Sequence, residues 1–221
     1  MSQVHAVIFD IDGTLLLSNG AHARAYVEAA TALGIKADFA KIRCLIGKGG
    51  DKLIPEAFGF EQDSELGKEL DQLKREVFKT HYLPALQPAP GTRSLLSRLH
   101  DNGLTLAVAT SGSKADMVPL LERAGVQDLI VESATADDVD ASKPEPDVVQ
   151  AALSKVKCPI SSVVMVGDTP YDVEAAQHAG VRIFAVRCGG CTDDQLQGAA
   201  EIYENPADLL VHYDEAFGPP R

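Results

Sequence analysis

Asp10 and Asp12, in the stretch FDIDGTLLL (9–17), put two carboxylates two residues apart at the end of an apolar run. An extended chain points residues i and i+2 to the same side, so both acids can face one space. Adjacent carboxylates repel each other and stay ionised at low cost only beside a cation. Gly13 follows, where the chain must turn and a Cβ would hinder it. One Asp after a strand is often a helix N-cap, but D-x-D-G-T after a wholly apolar run is more specific than that. A second acidic pair matches the first. In VVMVGDTPYD (163–172), Asp168 closes another apolar run and Asp172 follows four residues on. With a helix starting near Pro170, Asp172 lies in its first turn, where the helix dipole favours an acid, so capping would account for Asp172 taken alone. Taken together, Asp10, Asp12, Asp168 and Asp172 offer hard oxygen donors without His or Cys, the donor set of Mg2+.

Two further segments can bind an anion. VATSGSK (108–114) sets Thr110, Ser111 and Gly112 where a strand runs into a helix. Hydroxyls, a flexible glycine and free helix N–H groups make a cradle for a phosphoryl group. The plainer reading of the same residues is an N-cap on Ser113. SKPEPD (142–147) sets Lys143 before Pro144, which steers the lysine away from helical geometry. Lys143 is either a solvated surface charge or the cation that balances the acids and a bound dianion.

These residues need elements to bring them together. Unbroken β-prone runs at 4–9, 104–110, 129–131, 163–166 and 183–186 read as strands buried on both faces. Helix-period segments at 92–100, 115–124, 147–156 and 172–179 alternate with them, several stopped by glycine. That alternation predicts an α/β fold with a doubly wound, Rossmann-like parallel sheet. In such a sheet ligands bind beyond the carboxyl ends of the strands, where Asp10 and Asp168 stand. Residues 21–83 break the rhythm. They hold no strand and read as helices at 21–33, 37–45, 50–57 and 64–82, an inserted α-helical domain. The Pro-rich stretch PALQPAPGT (84–92) leads out of it. The expected division is a core of 1–17 and 86–221 and a helical insertion of 18–85, with the GPPR tail (218–221) frayed.

Composition narrows the function classes. The chain has 221 residues, 45% hydrophobic and 24% charged, ordinary for a globular protein with a sizeable core. Its net charge of −12 repels a phosphate backbone, so nucleic acid is not an expected partner. A small anion remains open to it, since that needs only a local cation. No run approaches a membrane span, and the first residues lack the pattern of a secretory signal, so a cytoplasmic protein is expected. The four cysteines are too scattered for a disulfide framework. Cys188 and Cys191, in CGGC, supply two of the four ligands of a structural zinc, with no His at useful spacing. A redox role is open to such a pair. The simpler reading is two small residues around a Gly-Gly turn.

The order D-x-D-G-T, strand-end Thr, Lys-Pro and G-D-x-x-x-D resembles the haloacid dehalogenase superfamily, in its phosphoglycolate phosphatase and β-phosphoglucomutase-like branch. The resemblance runs from Asp10 past Asp172 and makes the insertion a small helical cap. It implies Asp10 as nucleophile forming an aspartyl-phosphate, and Asp12 as the acid and base that serves the leaving oxygen and then water. It implies Mg2+ held by Asp10, the Asp12 carbonyl, Asp168 and, directly or through water, Asp172. Thr110, Ser111, Gly112 and Lys143 would hold the phosphoryl oxygens. Members that release halide lack an Asp at position 12, which favours phosphoryl transfer. The substrate implied is a small phosphorylated metabolite such as phosphoglycolate or a sugar phosphate, acted on by a monomer or homodimer. The alternatives are a phosphomutase and, from another class, a non-catalytic regulatory module. In the cap, RCLIGKGGDKL (43–53) resembles the cap loop of phosphoglycolate phosphatases. Arg43, Gly47 and Lys48 are either substrate contacts or a glycine-rich helix connection with solvated bases. His22 falls where mutase-like members carry a hinge His, although phosphatases have one there too. Leu17 departs from the pattern, standing where many relatives carry an Asp before the Ser.

Overall fold

The computed structural model describes residues 3–218. Pro219, Pro220 and Arg221 of the tail expected to fray lie outside the described residues. Among those residues a six-stranded sheet forms in the order β3-β2-β1-β4-β5-β6, every neighbouring pair parallel. The strands are β1 (Ala6–Phe9), β2 (Thr105–Ala109), β3 (Glu132–Ala134), β4 (Val163–Gly167), β5 (Arg182–Val186) and β6 (Glu201–Tyr203). Their apolar runs are continuous because both faces are covered. Val7, Phe9, Leu106, Val108, Val164 and Val166 point into one apolar layer, while Ala6, Ile8, Ala107, Ala109, Val163 and Met165 point into the other. Helices α5 (Thr92–Asp101) and α6 (Lys114–Ala124) cover the first face; α7 (Asp147–Val156) and α8 (Pro170–His178) cover the second. This is the doubly wound α/β fold that the alternation predicts.

The register places the chemistry. Phe9 is level with Val108 on β2 and with Val166 on β4. One residue on, Asp10 therefore lies beside the ends of both neighbours, where Thr110 and Asp168 follow. The chain runs outward from β1 through β2 to β3 and then returns to β4 on the other side of β1. Asp10 thus stands at the point where strand order reverses, where the connecting segments diverge and leave a crevice.

Between β1 and β2 the chain forms α1 (Asn19–Ala32), α2 (Phe39–Leu45), α3 (Gly50–Phe58) and α4 (Glu65–Val77), the last continuing through a π-type turn at Phe78–Tyr82. Asp38 caps α2, its carboxylate accepting from Ala40 N at 2.8 Å, and Ser64 caps α4, accepting from Gly67 N at 3.1 Å. The four helices enclose their own apolar cluster around Tyr26, Ile42, Leu53, Ile54 and Leu70. Helix α1 serves two cores: Ala23 and Ala30 face this cluster, while Ala21 and Ala25 face the sheet's. Small residues on both sides suit a helix packed from both directions. The ingoing and outgoing segments run side by side, Leu17 N donating to the Gln87 carbonyl at 3.0 Å and Ala89 N to that of Leu15 at 3.0 Å.

Two expectations shift. The strand expected at 129–131 lies instead at Glu132–Ala134. Leu129 closes a short 3-10 turn with its side chain in the core, and Val131 is exposed, so the apolar triplet packs the approach to an edge strand. Helix α8 starts at Pro170, as expected, with Thr169 as its cap. After β5 the chain adds β6, α9 (Pro206–Val211) and α10 (Tyr213–Phe217), all too short to leave a periodic signal.

Leu95 on α5 is fully buried and Val211 on α9 is 80% exposed. Leu95→Ala is expected to cost roughly 2–5 kcal/mol. Val211→Ala should stay within about 0.5 kcal/mol. Urea unfolding of the two variants checks the contrast.

Candidate active site

Lys143 is the fully buried centre of the site. Its ammonium lies 2.5 Å from Asp10 Oδ1, 2.7 Å from the Ala109 carbonyl and 2.7 Å from Asp172 Oδ1. Burial works to strip its proton, but Asp10 and Asp172 outweigh burial and hold its pKa above the ordinary lysine value. It is a structural cation locked between two strand ends, not a solvated surface charge.

Asp172 divides its two carboxylate oxygens between the helix cap and Lys143. Its Oδ2 accepts from Thr169 N at 3.0 Å and Thr169 Oγ1 at 2.7 Å, and Thr169 Oγ1 in turn accepts from Asp172 N at 3.2 Å. That reciprocal capping box starts α8. The other oxygen is left for Lys143. Asp168 is held by Thr14 Oγ1 at 3.0 Å on Oδ1 and by Asn19 Nδ2 at 2.8 Å on Oδ2. Two glycines make room for it. A Cβ on Gly13, whose φ is +89°, would sit 2.2 Å from Asp168 Oδ2, and one on Gly189 would sit 1.7 Å from the same atom.

Asp10, Asp168 and Asp172 each bring a carboxylate oxygen within 4.8 Å of the others. Burial, and then the neighbouring carboxylates, push the Asp10 carboxyl well above the usual range against the pull of Lys143. Burial followed by Asp172 raises that of Asp168 to about 8. Three carboxylates against one ammonium leave two negative charges in a buried space. A divalent cation with a preference for oxygen ligands supplies the missing charge, so the donor set fits such an ion. The buried Asn19 Oδ1, which has no hydrogen-bond partner, adds a free acceptor on the residue that holds Asp168.

Asp12 is turned away from this cluster. Its Oδ1 accepts from the Ser18 hydroxyl in a short contact and lies 2.8 Å from His22 Nε2. Burial opposes ionisation there, but His22, Ser18 and Lys74 prevail and draw its pKa down to about 2. His22 stacks flat on Phe78, with ring centroids 3.8 Å apart, and burial lowers its own pKa. Its Nδ1 is buried without a partner, so the ring makes its polar contact through Nε2 alone.

Asp10 and Asp12 open on a cavity of about 330 Å3 between the sheet and the inserted helices, and Thr110, Ser111 and Gly112 line it as well. Thr110 Oγ1 accepts from Gly112 N at 3.1 Å, which shapes the turn, and Ser113 caps α6. The N-cap reading holds for Ser113, while Thr110, Ser111 and Gly112 line the cavity. Ser111 Oγ donates to the Gly47 carbonyl at 3.1 Å, tying the strand end to the helical insertion. Gly47, with φ +114°, passes so close to Thr169 that a Cβ would meet its Oγ1 at 2.8 Å. Lys48 lines the cavity, but pairs with Glu56 and sits 4.8 Å from the Tyr171 ring centroid. Arg43 does not line the cavity; its guanidinium bonds the Gly189 carbonyl across the seam. Cys188 donates to the Gly13 carbonyl and packs in one apolar layer, while Cys191 packs in the other. The two thiols therefore diverge, and burial pushes that of Cys188 up to about 12.

Sequence reasoning passed over Thr14, Ser18 and Asn19, which orient the acids. Thr14 belongs to the D-x-D-G-T run and was legible there. Asn19 carries no local signal, since the return of the chain brings Asp168 to it, whereas Ser18 bonds Asp12 only six residues away.

The profile described as haloacid dehalogenase-like hydrolase matches residues 7–186. The chain is 33% identical over 215 residues to "Probable phosphatase IndB" of Dickeya dadantii, covering 96% of this chain and 91% of that protein. It is 30% identical over 218 residues to the phosphoglycolate phosphatase of Yersinia pestis, covering 95% and 90%. The crystal structure of a hydrolase from Pseudomonas syringae superposes with a TM-score of 0.88 at 29% identity, covering 96% and 98%.

The raised Asp168 pKa has a sign that can be measured. Between the ordinary value of 3.8 and about 8, the folded metal-free protein keeps a proton that the unfolded chain has released. Its stability should therefore fall as pH rises across that window. A divalent cation bound by the ionised carboxylates should raise the melting temperature more at pH 8 than at pH 5, as thermal unfolding with and without the metal would record.

Proposed function

The chain belongs to the haloacid dehalogenase-like hydrolases, and we propose on that premise that it is a Mg2+-dependent phosphatase of small phosphomonoesters, with 2-phosphoglycolate and sugar phosphates as the leading substrates. Asp10 is the nucleophile. It ends the central strand at the switch point and faces the cavity, and Lys143 fixes one of its oxygens while the other stays available for attack. That arrangement is the single observation that carries the reading. Attack on phosphorus forms an aspartyl-phosphate and expels the alcohol, so one difficult displacement becomes two easier ones.

Asp12 serves the alcohol and then the water. Bonded to Ser18 and His22, with its pKa near 2, it is in the ionised form that accepts a proton from water. Donation to the leaving oxygen requires its release from those partners and the uptake of a proton from solvent before the alcohol leaves. Both stand where α1 begins, so movement of the helical insertion relative to the sheet would free it. We take the insertion, residues 18–85, as a cap that swings on the paired segments around Leu17 and Gln87. Thr110 and the backbone of Ser111 and Gly112 hold the phosphoryl oxygens, while Lys143, its donors engaged, acts through its hold on Asp10. Mg2+, held by Asp10, Asp168 and Asp172 with the Asp12 carbonyl, would neutralise the repulsion between carboxylate and phosphate.

Phosphate release from a panel of phosphomonoesters tests the assignment. Release should need Mg2+, and Asp10→Asn should lower it by about three orders of magnitude or more while leaving the fold intact. Conversion of a sugar 1-phosphate to the 6-phosphate without phosphate release would replace the phosphatase reading by a mutase.

A further inference from the structure

The insertion's side of the cavity carries several charges, and most already have partners. Lys48 pairs with Glu56. Arg75 joins Asp71 at 3.0 Å and Asp116 at 2.8 Å, and Asp51 accepts from Ser142 at the seam. Lys74 is different. It lines the cavity from α4, yet makes no hydrogen bond or ion pair with any described residue. Its ammonium is held by two rings instead, 5.0 Å from the centroid of Tyr26 and 5.6 Å from that of Phe78. A cation on ring faces is positioned without using its N–H donors, so all three remain for a ligand. Tyr26 also lines the cavity. Its ring is 4% exposed, and its hydroxyl has no hydrogen-bond partner among the described residues.

The place of this pair is informative. Lys74 is among the groups that keep Asp12 ionised, so its charge lies on Asp12's side of the cavity. If Asp12 protonates the leaving oxygen, the leaving group extends into that region. An ammonium and a phenol present donors there. A neutral polyol could use a donor, but an anion also gains from the ammonium, which Asp71, Asp116 and Asp12 offset without a direct ion pair.

We propose that Lys74 and Tyr26 form the receptor for a carboxylate on the leaving group, and so select phosphorylated hydroxy acids over neutral phosphomonoesters. The inference rests on the phosphatase reading and on Asp12 as the proton donor. It makes Lys74 and Tyr26 specificity-determining residues, separate from the groups that grip the phosphoryl end. A site that pairs a charge on its substrate rejects the analogue that lacks it, because the ammonium is then left desolvated and without a direct ion pair.

The test compares two esters that differ in one charge: 2-phosphoglycolate and its amide, 2-phosphoglycolamide, both assayed with Mg2+. The wild-type protein should prefer the acid by at least about tenfold in kcat/KM, expressed mainly in KM. In Lys74→Met the acid-to-amide ratio should fall to about 1. Lys74→Arg should restore part of it, and Tyr26→Phe should lower it several-fold. The ratio is measured within one preparation, so partial misfolding of a variant cancels. No preference in the wild type would overturn the proposal, as would a ratio that survives in Lys74→Met with both esters slowed equally. The latter result would mean that Lys74 acts through Asp12. Absence of release from either ester, or from any other phosphomonoester, would overturn the phosphatase reading itself. Release of phosphate from both at equal rates would overturn only the receptor.

Discussion

A lysine ammonium sealed from water between Asp10 and Asp172 is the interaction on which the remaining arrangement depends. A buried charge is costly unless paired and hydrogen-bonded, and Lys143 has two carboxylates and a main-chain carbonyl. Removing the ammonium would leave both carboxylates uncompensated. The ammonium thereby fixes the end of β1, the end of β2 and the first turn of α8 relative to one another. It also orients one oxygen of Asp10, which leaves the other directed at the cavity. The excess of negative charge that remains around it is a property of the fold. Burial has raised the Asp10 and Asp168 carboxyls, and a cation ligand is the natural remedy.

The parallel sheet makes this pairing possible. Strands β1, β2 and β4 end level with one another, so residues more than a hundred positions apart in the chain become neighbours without any long-range device beyond strand register. The glycines complete the approach. Gly13 and Gly189 bring backbone against the Asp168 carboxylate at distances where any side chain would collide. Close packing here follows from main chain meeting side chain, and it leaves little freedom for the acids to relax apart.

The helical insertion adds a second level of control. It has its own apolar cluster, yet α1 carries Ser18 and His22 to Asp12, and Gly47 bonds Ser111 at the opposite strand end. Asp12 is therefore tied to the insertion, while Asp10 is tied to the sheet. Two carboxylates two residues apart acquire opposite environments. One is raised by burial among other acids, and the other is lowered by hydrogen bonds and nearby positive charge.

Much of this was legible in the sequence, where the cause is local. The apolar strands, the glycine stops, the block of helices at 21–83 and the positions of Asp10, Asp12, Lys143, Asp168 and Asp172 follow from periodicity, turn chemistry and residue type. Helix α7 matches its expected span because its pattern and its boundary residues agree. What the chain order could not supply is who meets whom after the chain returns. That Asp172 divides its two oxygens between a cap and Lys143, and that Asp12 turns to Ser18 and His22, depends on strand register and helix docking. Arg43 left the cavity for Gly189, and Lys74 entered it, for the same reason. Charge and hydrogen-bonding capacity are properties of a residue and can be read from its letter. Burial, pairing and the resulting pKa belong to the space between elements, and only the tertiary structure creates that space.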